Sequence, residues 1–162
     1  MIVDRYARQI ALIGGEGQDK LKNAAVLVIG AGGIGCPLLM YLAASGIGRL
    51  GFVEFDSVEL TNLHRQIIYT ENEIGKQKSE IVFDKLKALN SQILIDKYPA
   101  KLTLKNSKQI ISNYDLIIDA SDNFKTKYLV NDICCQLDNL LLFKYLSALQ
   151  QMRVRGSRRK PQ

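Results

Sequence analysis

Short runs of β-branched and apolar residues recur along the chain at 25–29, 50–55, 93–98, 116–119 and 140–143. Each has the length of a buried strand, and the stretches between them carry helical periodicity. The spacing predicts helices over 37–45, 77–89, 104–112 and 123–137. In the second of these, Ile81, Val82, Leu86 and Leu89 fall on one face. Strand and helix alternate, which predicts an α/β fold, a Rossmann-like, mostly parallel sheet with helices on both faces. Two amphipathic segments, 4–13 and 18–23, precede the first strand and are separated by Gly14-Gly15-Glu16-Gly17. They predict an N-terminal helical arm, free either to cover the sheet edge or to reach a second subunit.

Where the first strand gives way to its helix stands Gly30-Ala31-Gly32-Gly33-Ile34-Gly35. Gly30, Gly32, Gly33 and Gly35 permit a tight turn and let phosphate oxygens approach the backbone at a helix N-terminus. Such a loop serves NAD and ATP equally, so it predicts a nucleotide without choosing one. Glu54, at the end of the second strand, is placed to accept hydrogen bonds from a ribose, and this too fits either nucleotide.

The connection 56–76 is longer than βα loops usually are, and it is polar. Asn62, Arg65, Lys76 and Lys78 bring an amide and three cations to the carboxyl end of the sheet. A triphosphate needs that charge, whereas a dinucleotide bridge held by backbone amides does not. After the fourth strand comes Asp119-Ala120-Ser121-Asp122-Asn123. Asp122 there either supplies a hard oxygen to Mg2+ or caps the following helix.

The 162 residues suit one domain of ordinary composition, 47% hydrophobic. The net charge of +6 invites a nucleic-acid reading, but Arg153, Arg155, Arg158, Arg159 and Lys160 alone account for +5 of it. The other charges are mixed in sign and form no basic stripe, so no nucleic-acid partner is expected. Short apolar runs and the absence of a charged-then-apolar leader give no expectation of a membrane and point to a cytoplasmic protein. Cys36, Cys134 and Cys135 lack metal-ligand spacing and read as reduced, mostly buried thiols.

Taken in order, these motifs resemble the bacterial ubiquitin-activating-like enzymes of the ThiF, MoeB and HesA types. Arg5-Tyr6-Ala7-Arg8-Gln9 is similar to the family's N-terminal arginine motif, and 30–35 to its glycine loop. Asn62-Leu63-His64-Arg65-Gln66, Gly75-Lys76-Gln77-Lys78 and Ser121-Asp122-Asn123 complete the series. The resemblance spans residues 4 to about 142. It implies an adenylyltransferase that uses ATP and Mg2+ to adenylate the C-terminal Gly-Gly carboxylate of a ubiquitin-fold sulfur-carrier protein, of thiamin or molybdopterin type.

On that resemblance Gly30, Gly32, Gly33 and Gly35 cradle ATP and Glu54 holds the ribose. Asn62, Arg65 and Lys78 neutralise phosphate charge, Asp122 binds magnesium, and Arg8 reaches the partner's site in a homodimer. The family usually has Asp where this chain has Glu54. Its paired CxxC motifs for structural zinc are absent, so no Zn2+ is expected. Residues 1–142 read as the adenylation domain, incomplete beside the family. Residues 143–162 read as a divergent basic tail of the kind a frameshift or truncation leaves. A non-catalytic, ATP-binding remnant of such an enzyme and an NAD-dependent oxidoreductase are the alternatives.

Overall fold

A computed structural model describes residues 4–143. Five strands, β1 (Ala25–Ile29), β2 (Arg49–Val53), β3 (Leu94–Tyr98), β4 (Leu116–Asp119) and β5 (Leu140–Phe143), form one sheet. Their order is β3-β2-β1-β4-β5, and every neighbouring pair is parallel. Strand boundaries fall within two residues of those read from the apolar runs. The largest shift is in β2, which ends before Glu54 and Phe55 and so leaves both in the loop.

The alternation of side chains along the strands divides the core into two layers. Val26, Val28, Leu50 and Phe52 pack with Leu39 and Ala43 of α2 (Gly35–Ser45) and with Val82 and Leu86 of α3 (Lys78–Leu89). Leu27, Ile29 and Ile117 face the other way, toward Ile111 of α4 (Ser107–Ile111) and Val130 and Ile133 of α5 (Phe124–Leu137). Helices therefore cover both faces, as alternating strands and helices require. β1 is apolar on both sides because both of its faces are buried.

The N-terminal arm departs from the two separate segments expected. It is one helical span, α1 (Ala7–Asn23), kinked at Gly14, where φ is 74°. Only that glycine leaves helical geometry, so the Gly-rich stretch bends the helix rather than ending it. The piece beyond the bend is held by Gln18, which is 1% exposed. Gln9 and Gln18 both donate to the Ser45 carbonyl at the C-terminus of α2, at 2.9 and 3.2 Å. Tyr6, buried against Gly46, accepts a hydrogen bond from Asn90 at 2.9 Å. The arm is thereby fastened to the ends of α2 and α3.

Cys36 and Cys134 are buried, as expected, but Cys135 is exposed on α5. Among the described residues no helix is long and apolar enough to cross a membrane. The basic tail lies outside the described residues, apart from Phe143, which ends β5.

Candidate nucleotide-binding site

From β1 the chain runs outward through β2 to β3, then returns to lay β4 on the opposite side of β1. The loops after β1 and β4 therefore diverge at the carboxyl end of the sheet and leave a crevice between them. A cleft of about 450 Å³ opens there. Gly30, Gly32 and Gly33 line it from β1, Glu54, Phe55 and Asp56 from β2, and Ser121 and Asp122 from β4; Arg65, Gln66 and Lys78 come from the long loop and the start of α3.

Two glycines of the loop are required by geometry. Gly30 has φ 94°, a left-handed conformation that disfavours other residues. At Gly35, which opens α2, a Cβ would stand 1.9 Å from the Gly30 carbonyl oxygen. At Gly33 the constraint involves the site itself, since a Cβ there would lie 3.3 Å from Cγ of Arg65. The Arg65 stem lies over the loop because position 33 has no side chain. Among the described residues no hydrogen bond claims the backbone amides of Gly32, Gly33 and Ile34. They are donors left over at a helix N-terminus, the arrangement that takes up phosphate.

Glu54 is 6% exposed. Its Oε2 accepts from the Ala31 amide at 2.9 Å, and Oε1 from the amides of Phe55 and Asp56 at 2.8 and 3.0 Å. The carboxylate thus holds the glycine loop to the end of β2, a role that sequence position does not reveal. One acceptor direction on Oε2 is left for a ligand hydroxyl.

Asn62 is buried but does not line the cleft. Its side chain accepts from the Glu59 amide in a capping box that closes the 3₁₀ turn Leu60–Asn62. Arg65 donates to the Thr61 carbonyl at 3.0 Å and lies 2.8 Å from the His64 ring. Lys78, 4% exposed, has its ammonium 4.0 Å from Asp56 and 5.8 Å from the centre of the Tyr69 ring. Among the described residues that ammonium makes no hydrogen bond, although a buried cation ordinarily requires acceptors. Lys76 is exposed and outside the cleft lining.

The competing readings of Asp122 are separated by its neighbour. Asn123 caps α5, its side chain accepting from the Thr126 amide at 2.9 Å. The exposed Asp122 carboxylate is thus left in the cleft wall, without a hydrogen bond among the described residues. No cluster of acidic, His or Cys residues there could hold a metal unaided, again among the described residues. Arg8 is exposed on α1 and does not line the cleft.

Sequence reasoning passed over Phe55 and Lys101. Phe55, 46% exposed, lines the cleft with the Lys101 ammonium 5.8 Å from its ring. An exposed aromatic immediately after Glu54 was a signal in the sequence. Lys101 follows β3 and gave none.

The ThiF family profile matches residues 6–150. The chain belongs to the ThiF family. Within it, the sulfur carrier protein adenylyltransferase of Thermus thermophilus is 50% identical over 143 residues, covering 87% of this chain and 53% of that protein. The adenylyltransferase and sulfurtransferase MOCS3 of Anopheles gambiae is 52% identical over 137 residues, covering 83% of this chain and 31% of the relative. This ThiF-family chain thus spans about half the length of the first relative and about a third of the second.

Solved structures agree on the architecture. The Escherichia coli tRNA N6-threonylcarbamoyladenosine dehydratase TcdA, in complex with ATP, superposes with a TM-score of 0.83 at 26% identity, over 88% of this chain and 61% of that one. E. coli MccB with ATP gives a TM-score of 0.78 at 30% identity, over 88% and 44%.

Proposed function

We propose that this chain carries the nucleotide site of an ATP-dependent adenylyltransferase acting on the C-terminal glycine of a ubiquitin-like sulfur-carrier protein. The observation that carries the reading is the 50% identity to a sulfur carrier protein adenylyltransferase across most of the chain. The cleft supports it: free loop amides, Arg65 and the buried Lys78 ammonium converge where a polyphosphate would lie. ATP-bound relatives of the same fold support the choice of nucleotide. An NAD-dependent oxidoreductase leaves Arg65, Lys78 and Asp122 without a task.

In the reaction a carrier carboxylate oxygen attacks the α-phosphorus of ATP. The bond from that phosphorus to the bridging oxygen breaks, pyrophosphate leaves, and an acyl-adenylate forms. The attacking group is already ionised, so no general base is needed and catalysis is positioning with charge stabilisation. In this reading the amides of Gly32 and Gly33 and the cations of Arg65 and Lys78 offset charge on the phosphates, while Glu54 receives a ribose hydroxyl. Asn62 acts through the turn that presents Arg65. Asp122 would hold Mg2+, a group that would supply positive charge against the leaving pyrophosphate. Arg8, which does not line the cleft of its own chain, would serve the site of a second copy in a homodimer.

ATP–pyrophosphate exchange measured with a Gly-Gly-ended carrier tests this. The expected result is carrier-dependent exchange that falls about 10²- to 10³-fold in Arg65→Ala and in Asp122→Ala, the usual effect of removing one charge-stabilising group. ATP binding without exchange would instead identify a non-catalytic remnant. Tighter binding of NAD than of ATP would favour the oxidoreductase.

A further inference from the structure

Tyr69 lies in the long loop between β2 and α3 and is 5% exposed. Its hydroxyl donates to the carbonyl of Ala31 at 2.9 Å, within the glycine loop. The Cys36 thiol donates to the same carbonyl at 3.0 Å. The Ala31 amide is meanwhile held by Glu54. Ala31 is therefore fixed through both its amide and its carbonyl, while its neighbours Gly32 and Gly33 keep their amides for a ligand. The Tyr69 ring also lies near Lys78, whose ammonium is 5.8 Å from the ring centre and has no hydrogen-bond acceptor among the described residues. An electron-rich ring face attracts a cation without occupying its N–H donors. The ammonium stays free to donate in the direction of the cleft that Lys78 lines.

We propose that Tyr69 is a positioning residue of the nucleotide site, its hydroxyl fixing the glycine loop and its ring holding the Lys78 ammonium toward the phosphates. The inference rests on the ATP reading given above. Burial, and then the nearby Cys36 and Glu54, push the phenol far above its usual range. The hydroxyl is therefore a donor across the whole working pH range, and the ring stays neutral. The two halves of the role separate by substitution. Tyr69→Phe removes the hydroxyl and keeps the ring, Tyr69→Leu removes both, and pentafluorophenylalanine at 69 keeps ring shape while reversing the charge of its face.

Titration calorimetry of the full chain with ATP and Mg2+ provides the test. Loss of the ring's attraction is expected to weaken ATP binding roughly threefold to thirtyfold in Tyr69→Leu and in the pentafluoro variant relative to Tyr69→Phe. In a Lys78→Ala background Tyr69→Leu should bind ATP as Tyr69→Phe does, because both lack the hydroxyl and the ring then has no cation to hold. The fluorinated ring covers the case in which Tyr69→Leu folds poorly. Wild-type protein that does not bind ATP would overturn the nucleotide reading and this inference together. Wild-type binding with equal affinity in the Phe and pentafluoro variants, or a Leu-against-Phe difference that persists in the Lys78→Ala background, would overturn the role of Tyr69 alone.

Discussion

Glu54 serves structure first, whatever role it has toward a ligand. Its carboxylate accepts from three backbone amides that would otherwise be left without partners beside the cleft. Glu54→Gln leaves a single acceptor oxygen and puts an NH2 group against amide donors. A loss of about 1–3 kcal/mol of stability is expected, since a buried amide is orphaned. Thermal melts would show this as a lower Tm, and calorimetry would show weaker ATP binding because the glycine loop is released. Gly33 belongs to the same scale, where the absence of one Cβ admits the Arg65 stem. Gly33→Val should displace Arg65, lowering the proposed adenylation activity more than Tm. Gly30, Gly32, Gly33, Glu54, Arg65 and Lys78, all of which line the cleft, were legible as candidates from type and spacing. Their division of labour was not, because it depends on which amides meet the carboxylate and which side chain caps α5.

At the scale of elements, the long loop is ordered by two 3₁₀ turns, each closed by a capping box. The second box, Thr70 with Glu73, is reinforced by Lys85 of α3, 2.8 Å from the Glu73 carboxylate. Burial works to raise the Glu73 carboxyl, but hydrogen bonds from Lys85 and Thr70 outweigh it and hold the group below its ordinary value. A depressed carboxyl stabilises the fold above its unfolded value and loses that contribution as pH falls through the folded one. Denaturation followed by far-UV circular dichroism below about pH 4.3, the ordinary glutamate value, should show a shallower acid dependence in Glu73→Gln. The sheet has its own constraint at Gly51 of β2, where a Cβ would stand 2.2 Å from the Tyr114 hydroxyl. That hydroxyl donates to Asp96, which also pairs with Arg49. Gly51→Ala is expected to cost about 1–3 kcal/mol by overpacking, read as a lower Tm with the nucleotide cleft intact.

At the scale of the molecule, burial separates the three thiols. It pushes Cys36 and Cys134 up to about 11, so both remain protonated at neutral pH. Their stabilising contribution is full below the ordinary cysteine value and is lost as pH rises toward the folded one. Alkylation of native protein at pH 8 should modify Cys135 alone, whereas denatured protein should be modified at all three positions. Mass spectrometry of the labelled chain would decide this. The periodicity of apolar residues was enough to determine the α/β class and the existence of five strands, because strands and helices bury their faces with different repeats. Only the tertiary structure decided the strand order, the joining of the arm into one kinked helix, and the attachment of that helix to α2 through Gln18 and Ser45. It also decided that Tyr69 lies between the glycine loop and Lys78, and that Lys101 arrives beside Phe55. These are contacts between residues distant in the chain, and local pattern carries no information about which distant segments a folded sheet brings to one edge.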